Sequence, residues 1–256
     1  MNLIDTHAHL EGVNDLKNAI KRAAELGVVA IISVGSDYNS NVWVITESRK
    51  YEVEGLRIYP ALGLHPWGLD PSKVEETLRF IERNISRAVA LGEVGLDYWD
   101  KDARKSEDRR ELQRKIFRKI LSMARRSDKP VSIHSRGAWE DCVEMVIEAD
   151  VKRAVFHWFS GPNGALKRLL DHGYCVSATP AAAYSKEHRR VIAKVPLENI
   201  ILETDSPVVY AGEVSEPAHI IKALNAVAEI KGVSAEVVAE ETTENAKKIF
   251  KIRLDS

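Results

Sequence analysis

Two histidines near the start of the chain are spaced so that one cation could reach both. His7 and His9 follow a short apolar run at residues 3–5, which predicts a strand that the two histidines end. In a strand, residues i and i+2 point to the same side. Both imidazoles can therefore bind one metal ion, although the His-X-His pattern alone occurs often by chance.

Four further ionisable residues stand at the ends of other apolar runs. Glu93 follows residues 89–92, His134 follows 130–133, His157 follows 154–156 and Asp205 follows 200–204. A carboxylate that leaves a buried strand is costly to bury unless it is paired or binds a metal. Either of these histidines alone would more often be a hydrogen-bonded core or surface residue. Five strand ends with the same chemistry favour a metal site.

The number of candidate ligands indicates two ions. Four histidines and two carboxylates exceed what one catalytic zinc with an open position uses. Two ions roughly 3.5–4 Å apart, bridged by one carboxylate, would use all six and would favour hydrolysis. Mixed nitrogen and oxygen ligands suit zinc, manganese, cobalt or iron better than an all-oxygen magnesium site. The identity stays open among zinc, manganese, magnesium and cobalt. The predicted ligands are His7, His9, Glu93, His134, His157 and Asp205.

Other residues are candidates for secondary roles. His65 could donate to a phosphate oxygen or be a turn residue held by Pro66. Arg136 could bind a phosphate through two nitrogens, or form a salt bridge. Asp97 could orient a ligand histidine. For Tyr98 and Trp99, burial under a loop is favoured over stacking on a base.

Three more histidines, His172, His188 and His219, lie in helical stretches or at their ends. We interpret them as surface or capping residues. The two cysteines, Cys142 and Cys175, cannot form a disulfide framework and are predicted to be buried.

The elements that position these side chains alternate along the chain. Amphipathic helical stretches separate apolar runs with few polar residues, which is typical of parallel strands buried on both faces. Eight strand-helix units in this length predict a (β/α)8 TIM barrel, with an open doubly wound sheet as the alternative. No GxGxxG follows the first strand, which argues against that alternative. The predicted strands are 3–5, 28–34, 57–62, 88–91, 131–134, 154–157, 174–178 and 199–203.

A helical extension at 235–240 and 242–250 is expected to close a single domain that spans residues 1–256. In such barrels the active site lies at the carboxyl ends of the strands.

Composition excludes several classes of protein. The chain has 256 residues, 45% of them hydrophobic, and 37 basic against 38 acidic side chains. This balance excludes binding of nucleic acid by bulk positive charge, but not a local site for a phosphodiester. No apolar run is long enough to span a membrane. No secretory signal is evident, so we expect a cytoplasmic protein, and a monomer by default.

Six motifs in order give the chain a family resemblance. They are IDTHAHL at 4–10, GLHP at 63–66, GEVGLDY at 92–98, IHSR at 133–136, FHWFSG at 156–161 and ETDSP at 203–207. The sequence resembles the TatD family of metal-dependent deoxyribonucleases, within the amidohydrolase superfamily of barrels. The match continues to Asn245 and Ala246. Trp158 is a departure, since many members have cysteine there, and it bears on specificity more than on catalysis.

The resemblance implies a role for each ligand. His7 and His9 would bind the first metal, and Glu93 would bridge to a second metal held by His134 and His157. Asp205 would lie at the first metal and act as the general base, so that Glu93 and Asp205 are the catalytic pair. The substrate would be DNA, single-stranded or at its ends, with 3′–5′ exonuclease cleavage as one mode. His65 and Arg136 remain candidates for substrate binding.

Two other functions stay open from the sequence. The same ligands could serve hydrolysis of a small amide, ester or lactone, because a fold does not fix the substrate. The chain could also be a metal-bound scaffold without turnover. The intact Asp205 argues against the scaffold, since metal retention alone does not require a base there.

Overall fold

The computed structural model describes residues 1–254 and places eight parallel strands in one sheet. The strands are hydrogen-bonded in the order of the sequence, and the two edge strands meet to form a nearly closed TIM barrel. This confirms the predicted fold. The strands are β1 Leu3–Ala8, β2 Val28–Val34, β3 Arg57–Leu64, β4 Ala90–Gly95, β5 Val131–His134, β6 Ala154–Phe156, β7 Cys175–Ala178 and β8 Ile200–Leu202.

Helices follow the strands and cover the outside of the barrel. Two short antiparallel strands, β9 Val209–Tyr210 and β10 Glu213–Val214, form a hairpin after β8. The helices are α1 Leu16–Glu25, α2 Tyr38–Thr46, α3 Pro71–Asn84, α4 Glu107–Ser127, α5 Trp139–Glu148, α6 Asn163–Asp171, α7 Lys186–Lys194, α8 Ile220–Lys231 and α9 Ala235–Phe250. Within residues 1–254 no helix is both long and apolar enough to cross a membrane.

The C-terminal extension is one helix rather than the two predicted pieces. Ser234 caps α9 by accepting a hydrogen bond from the Val237 N–H, and the helix then continues through Glu241. Glutamate is a good helix former, so Glu241 gives the helix no reason to end. Phe250, at the end of α9, belongs to the same buried cluster as Ile4 and Ile201 inside the barrel, so α9 packs at the amino-terminal end of the strands. A single domain over 1–256 stays a prediction, and its last two residues lie outside the described chain.

Both cysteines are buried, as predicted. Cys142 lies on α5 and Cys175 starts β7. Burial raises the pKa of both thiols, so both stay protonated near neutral pH and behave as small apolar side chains.

The seam between β1 and β8 is closed by side chains as well as by the backbone. The Thr6 hydroxyl donates to the carbonyl of Leu202 at 2.8 Å. The buried carboxylate of Asp5 accepts the Thr204 N–H at 2.9 Å and the Thr204 hydroxyl at 2.6 Å. Just beyond, the Asp205 N–H donates to the carbonyl of His7 at 2.9 Å. The seam therefore fixes Asp205 beside β1.

The contact between Asp5 and Thr204 makes a prediction about stability. In Thr204→Val the fully buried Asp5 loses its shortest donor, and the free energy of unfolding should fall by about 1.5–3 kcal/mol. Urea unfolding with a chelator present measures this without a contribution from bound metal.

Thr46→Val is the matched control. Its hydroxyl is exposed and donates to the carbonyl of Val42, one turn earlier in the same helix, so the change should stay below about 0.5 kcal/mol. Equal losses in the two variants would show that the seam contact contributes nothing.

Candidate metal centre

All six predicted ligands meet at the carboxyl end of the barrel. His7 lies in β1 and Glu93 in β4, and the other four end or follow strands. Strands β4 and β5 approach each other closely at this end. A Cβ on Gly95, which has φ +139°, would lie 2.0 Å from the carbonyl oxygen of His134. Only glycine permits β4 and β5 to bring Glu93 and His134 this near each other.

Glu93 lies between two pairs of imidazoles. Its Oε2 is 3.5 Å from His7 Nε2 and 3.2 Å from His9 Nε2. Its Oε1 is 2.9 Å from His134 Nδ1 and 3.7 Å from His157 Nε2. Each carboxylate oxygen therefore faces a different pair, which is the arrangement that a bridging ligand needs.

Asp205 approaches both pairs from β8. Its Oδ1 is 3.8 Å from Nε2 of both His7 and His9, and its Oδ2 is 3.6 Å from His157 Nε2. Asp205 has φ +48°, a conformation that few non-glycine residues adopt. The turn that produces it aims the carboxylate back over the end of the barrel.

The donor set fits a cation. His7 is fully buried and its Nδ1 lies 3.1 Å from the Ser132 hydroxyl, but its Nε2 has no hydrogen-bond partner among the described residues. A buried nitrogen without a partner is costly, and this one faces Glu93 and Asp205. The ligand atoms of His7, His9 and Glu93 lie within 4.8 Å of one another, as do those of His65, Glu93 and His134. Imidazole nitrogen and carboxylate oxygen together suit zinc, manganese or cobalt.

The carboxylates make this pocket favourable for positive charge. Burial lowers the pKa of His9, but its hydrogen bond to Glu93 and the charges of Glu93 and Asp205 outweigh this and raise the pKa to about 9. Burial is likewise outweighed at His157, where the charges of Glu203 and Asp205 raise the pKa to about 10. Bound metal ions would replace these protons, since a ligand imidazole must be neutral.

Two carboxylates outside the predicted ligand set orient its histidines. Glu203 Oε1 lies 2.7 Å from His157 Nδ1, so Nε2 of the same ring points to the centre. Asp97 Oδ2 lies 2.8 Å from His134 Nε2 and leaves Nδ1 facing Glu93. Such partners fix the ring and raise its basicity. For Asp97 the sequence suggested this role. For Glu203 it did not, although a glutamate two residues before Asp205 at the end of an apolar strand was a usable signal.

His65 and Arg136 lie on the same side of the centre. His65 Nε2 is 3.3 Å from Glu93 Oε1, so His65 is placed to bind metal as well as substrate. Burial lowers its pKa to about 4, which keeps the ring neutral. Arg136 Nε donates to Asp97 at 2.9 Å, and its guanidinium lies 5.1 Å over the ring of Trp67. The predicted salt bridge of Arg136 is therefore present, while its side chain stays 45% exposed.

Two of the secondary predictions are wrong. Trp99 is 58% exposed rather than buried, because its ring lies over Gly137 at the edge of the cleft. His188 is fully buried instead of lying on the surface. Its Nδ1 lies 3.1 Å from the carbonyl of Phe159 and its Nε2 accepts the Thr179 N–H. It thereby ties α7 to the loops after β6 and β7.

The centre opens into a cleft of about 990 Å³. Its walls carry four tryptophans, Trp67, Trp99, Trp139 and Trp158, and the side chain of Arg136. Trp158 has φ +40°, and its N–H donates to the Ser177 hydroxyl at 2.9 Å, which turns the chain sharply after His157. Large aromatic surfaces beside a metal centre suit a substrate that contains rings.

A family model described as TatD related DNase matches residues 4–251. The chain belongs to this family. It is a TatD-family metal-dependent hydrolase, in agreement with the resemblance found in its motifs.

Individual relatives agree over nearly the whole chain. The human protein named deoxyribonuclease TATDN3 is 31% identical over 97% of this chain and 94% of its own. A Bacillus subtilis protein named uncharacterized metal-dependent hydrolase YabD is 31% identical over 98% and 99%. The crystal structure of YJJV, a TatD homologue from Escherichia coli, superposes with a TM-score of 0.86 at 28% identity, covering 98% of both chains.

More distant barrels share the fold alone. The crystal structure of an amidohydrolase from Mycoplasma synoviae has a TM-score of 0.64 at 14% identity, over 99% of this chain and 90% of that one.

The hydrogen bond from His157 to Glu203 predicts an effect on metal affinity. Glu203→Gln keeps the shape of the side chain but removes the charge that orients and polarises His157. Metal affinity should fall roughly 10–100-fold, measured by calorimetric titration of the metal-free protein with zinc or manganese.

Glu148→Gln, at the exposed last residue of α5 and therefore at the end of the barrel opposite the centre, should bind metal as the unaltered protein does. An unchanged affinity in Glu203→Gln would remove Glu203 from the metal centre.

Proposed function

We propose that this protein is a deoxyribonuclease that cleaves DNA phosphodiester bonds at a centre of two divalent metal ions. The observation that supports it most is the placement of Glu93, whose two oxygens face different pairs of histidines. One ion would lie with His7 and His9, and the other with His134 and His157. Asp205 approaches both positions and would contribute to the first.

Two such ions would supply Lewis acidity and lower the pKa of a water between them. The chain itself supplies the base. Asp205 faces the same space as Glu93, and no hydrogen bond from residues 1–254 ties its carboxylate oxygens, so it is free to accept the proton of the attacking water. Burial raises the pKa of this carboxyl, with the neighbouring histidines opposing the effect. A base with a raised pKa holds the proton better than an ordinary aspartate.

The phosphate would be held from the side of β5. Asp97 accepts the Arg136 Nε–H, while the terminal nitrogens of Arg136 have no partner among residues 1–254. A guanidinium fixed at one end and open at the other can bind two phosphate oxygens. His65, neutral and beside Glu93, is placed to donate to a phosphate oxygen or to complete the second metal position.

The proposed base makes a direct prediction. Asp205→Asn should lower the rate of cleavage of a single-stranded oligonucleotide by about 10²–10⁴-fold, since the amide cannot take the proton. Metal content, measured by atomic emission, should stay near that of the unaltered protein. The cleavage rates of the unaltered protein and of the variant are measured with added zinc, manganese, cobalt or magnesium. Chelation of the metal should abolish both rates.

Asp171→Asn serves as the control, because Asp171 pairs only with Lys167 on the exposed face of α6. It should leave the rate unchanged. Full activity in Asp205→Asn would exclude Asp205 as the base. Hydrolysis of aryl esters or amides, without any cleavage of oligonucleotides or of a bis-aryl phosphodiester, would overturn the proposed substrate.

A further inference from the structure

The mouth of the cleft is divided into two halves of different chemistry. Because the strands follow one another around the barrel, the loops after β3 to β6 lie opposite those after β7, β8, β1 and β2. The first half carries Arg136 and all four tryptophans of the cleft. The second half carries three carboxylates beyond Asp205, those of Glu11, Asp37 and Glu187.

The aromatic half is built to hold bases and a phosphate. The rings of Trp99 and Trp139 meet edge to face at 5.2 Å, and Trp67 is 49% exposed beneath the guanidinium of Arg136. Exposed indole faces stack on any base. This half therefore matches a strand that alternates rings with negative charges.

The acidic half contributes no lysine or arginine to the cleft within residues 1–254. Asp37 caps α2 and accepts hydrogen bonds from the N–H and the hydroxyl of Ser40, both at 2.8 Å. Glu11 lies in the turn after β1 that contacts α2, and Glu187 lies in the first turn of α7. None of the three forms an ion pair with a lysine or arginine in the described part of the chain. Arg136 is the one lysine or arginine lining the cleft among those residues.

We propose that this division selects the end of the strand. The strand lies over the aromatic half, and the acidic half receives the terminal unit that is released when water adds to the last phosphodiester and one of its P–O bonds breaks. A phosphate on the free end of that unit is therefore rejected. The inference rests on the proposed function and deepens it. A terminal phosphate would bring about two negative charges beside three unpaired carboxylates, whereas a hydroxyl brings none.

The test compares one short single-stranded oligonucleotide in four forms, with hydroxyl or phosphate at each end, using the metal-loaded protein. Phosphate at one of the two ends should lower kcat/KM by roughly tenfold or more, as expected for like charges at close range. Raising the salt concentration should shrink the difference, since exposed charges are screened. The inhibiting end identifies the terminus from which cleavage proceeds.

Removing the three carboxylate charges should abolish the discrimination between a terminal phosphate and a terminal hydroxyl. A variant with Glu11→Gln, Asp37→Asn and Glu187→Gln keeps side-chain shape, and asparagine can still cap α2. In this triple variant the values of kcat/KM for the hydroxyl and phosphate forms should lie within about twofold of each other, because only weak, screened charge interactions remain. Glu148→Gln, at the far end of α5, should keep the full discrimination.

Binding provides a readout independent of turnover. Quenching of tryptophan fluorescence with a chelator present should rank the four forms as activity does. If no form is cleaved, the proposed function is wrong. The order of the four affinities still tests whether the cleft discriminates against a terminal phosphate. Equal binding and cleavage of all forms, or discrimination that persists in the triple variant, would overturn the inference.

Discussion

The structure depends on the burial of one carboxylate. Glu93 is 3% exposed at the end of β4, where an isolated charge would be prohibitively costly. It is tolerated because five imidazoles surround its two oxygens, those of His7, His9, His65, His134 and His157. Burial opposes ionisation, but the imidazoles around it, with His65 at 3.3 Å and His134 in hydrogen-bond contact, hold the pKa of Glu93 well below its usual range. The carboxylate thus stays charged and joins two groups of ligands.

The need to surround Glu93 with imidazoles explains features elsewhere in the barrel. His7 and His9 reach Glu93 only if β1 is held against β8, which is the task of Asp5, Thr6 and Thr204 at the seam. The other imidazoles are held from behind, His134 by Asp97 and His157 by Glu203. Buried polar groups outside the centre are therefore arranged to keep its nitrogens pointed inward. The cleft above adds what the centre lacks, an aromatic surface and one guanidinium.

Much of the fold and of the metal centre could be predicted from the sequence. The same physical reasons explain which residues were missed. The strands at 28–34 and 131–134 were predicted with the bounds that the structure shows. The first is apolar apart from Ser33, as expected for a strand buried on both faces. The convergence of Glu93, His134 and Asp205 followed from their types at strand ends. Glu203 was missed because it was counted as the last residue of the predicted strand 199–203, whereas β8 ends at Leu202. His188 lies on the face of α7 that carries Val191 and Ile192, but its burial also depends on Phe159 and Thr179 in the loops after β6 and β7.

The bridging position of Glu93 is the central claim, and crystals grown with manganese or zinc test it most directly. Anomalous diffraction should show two peaks roughly 3.5–4 Å apart, one beside His7 and His9 and the other beside His134 and His157, with an oxygen of Glu93 bound to each. A single peak, or a second peak that Glu93 does not touch, would contradict the account.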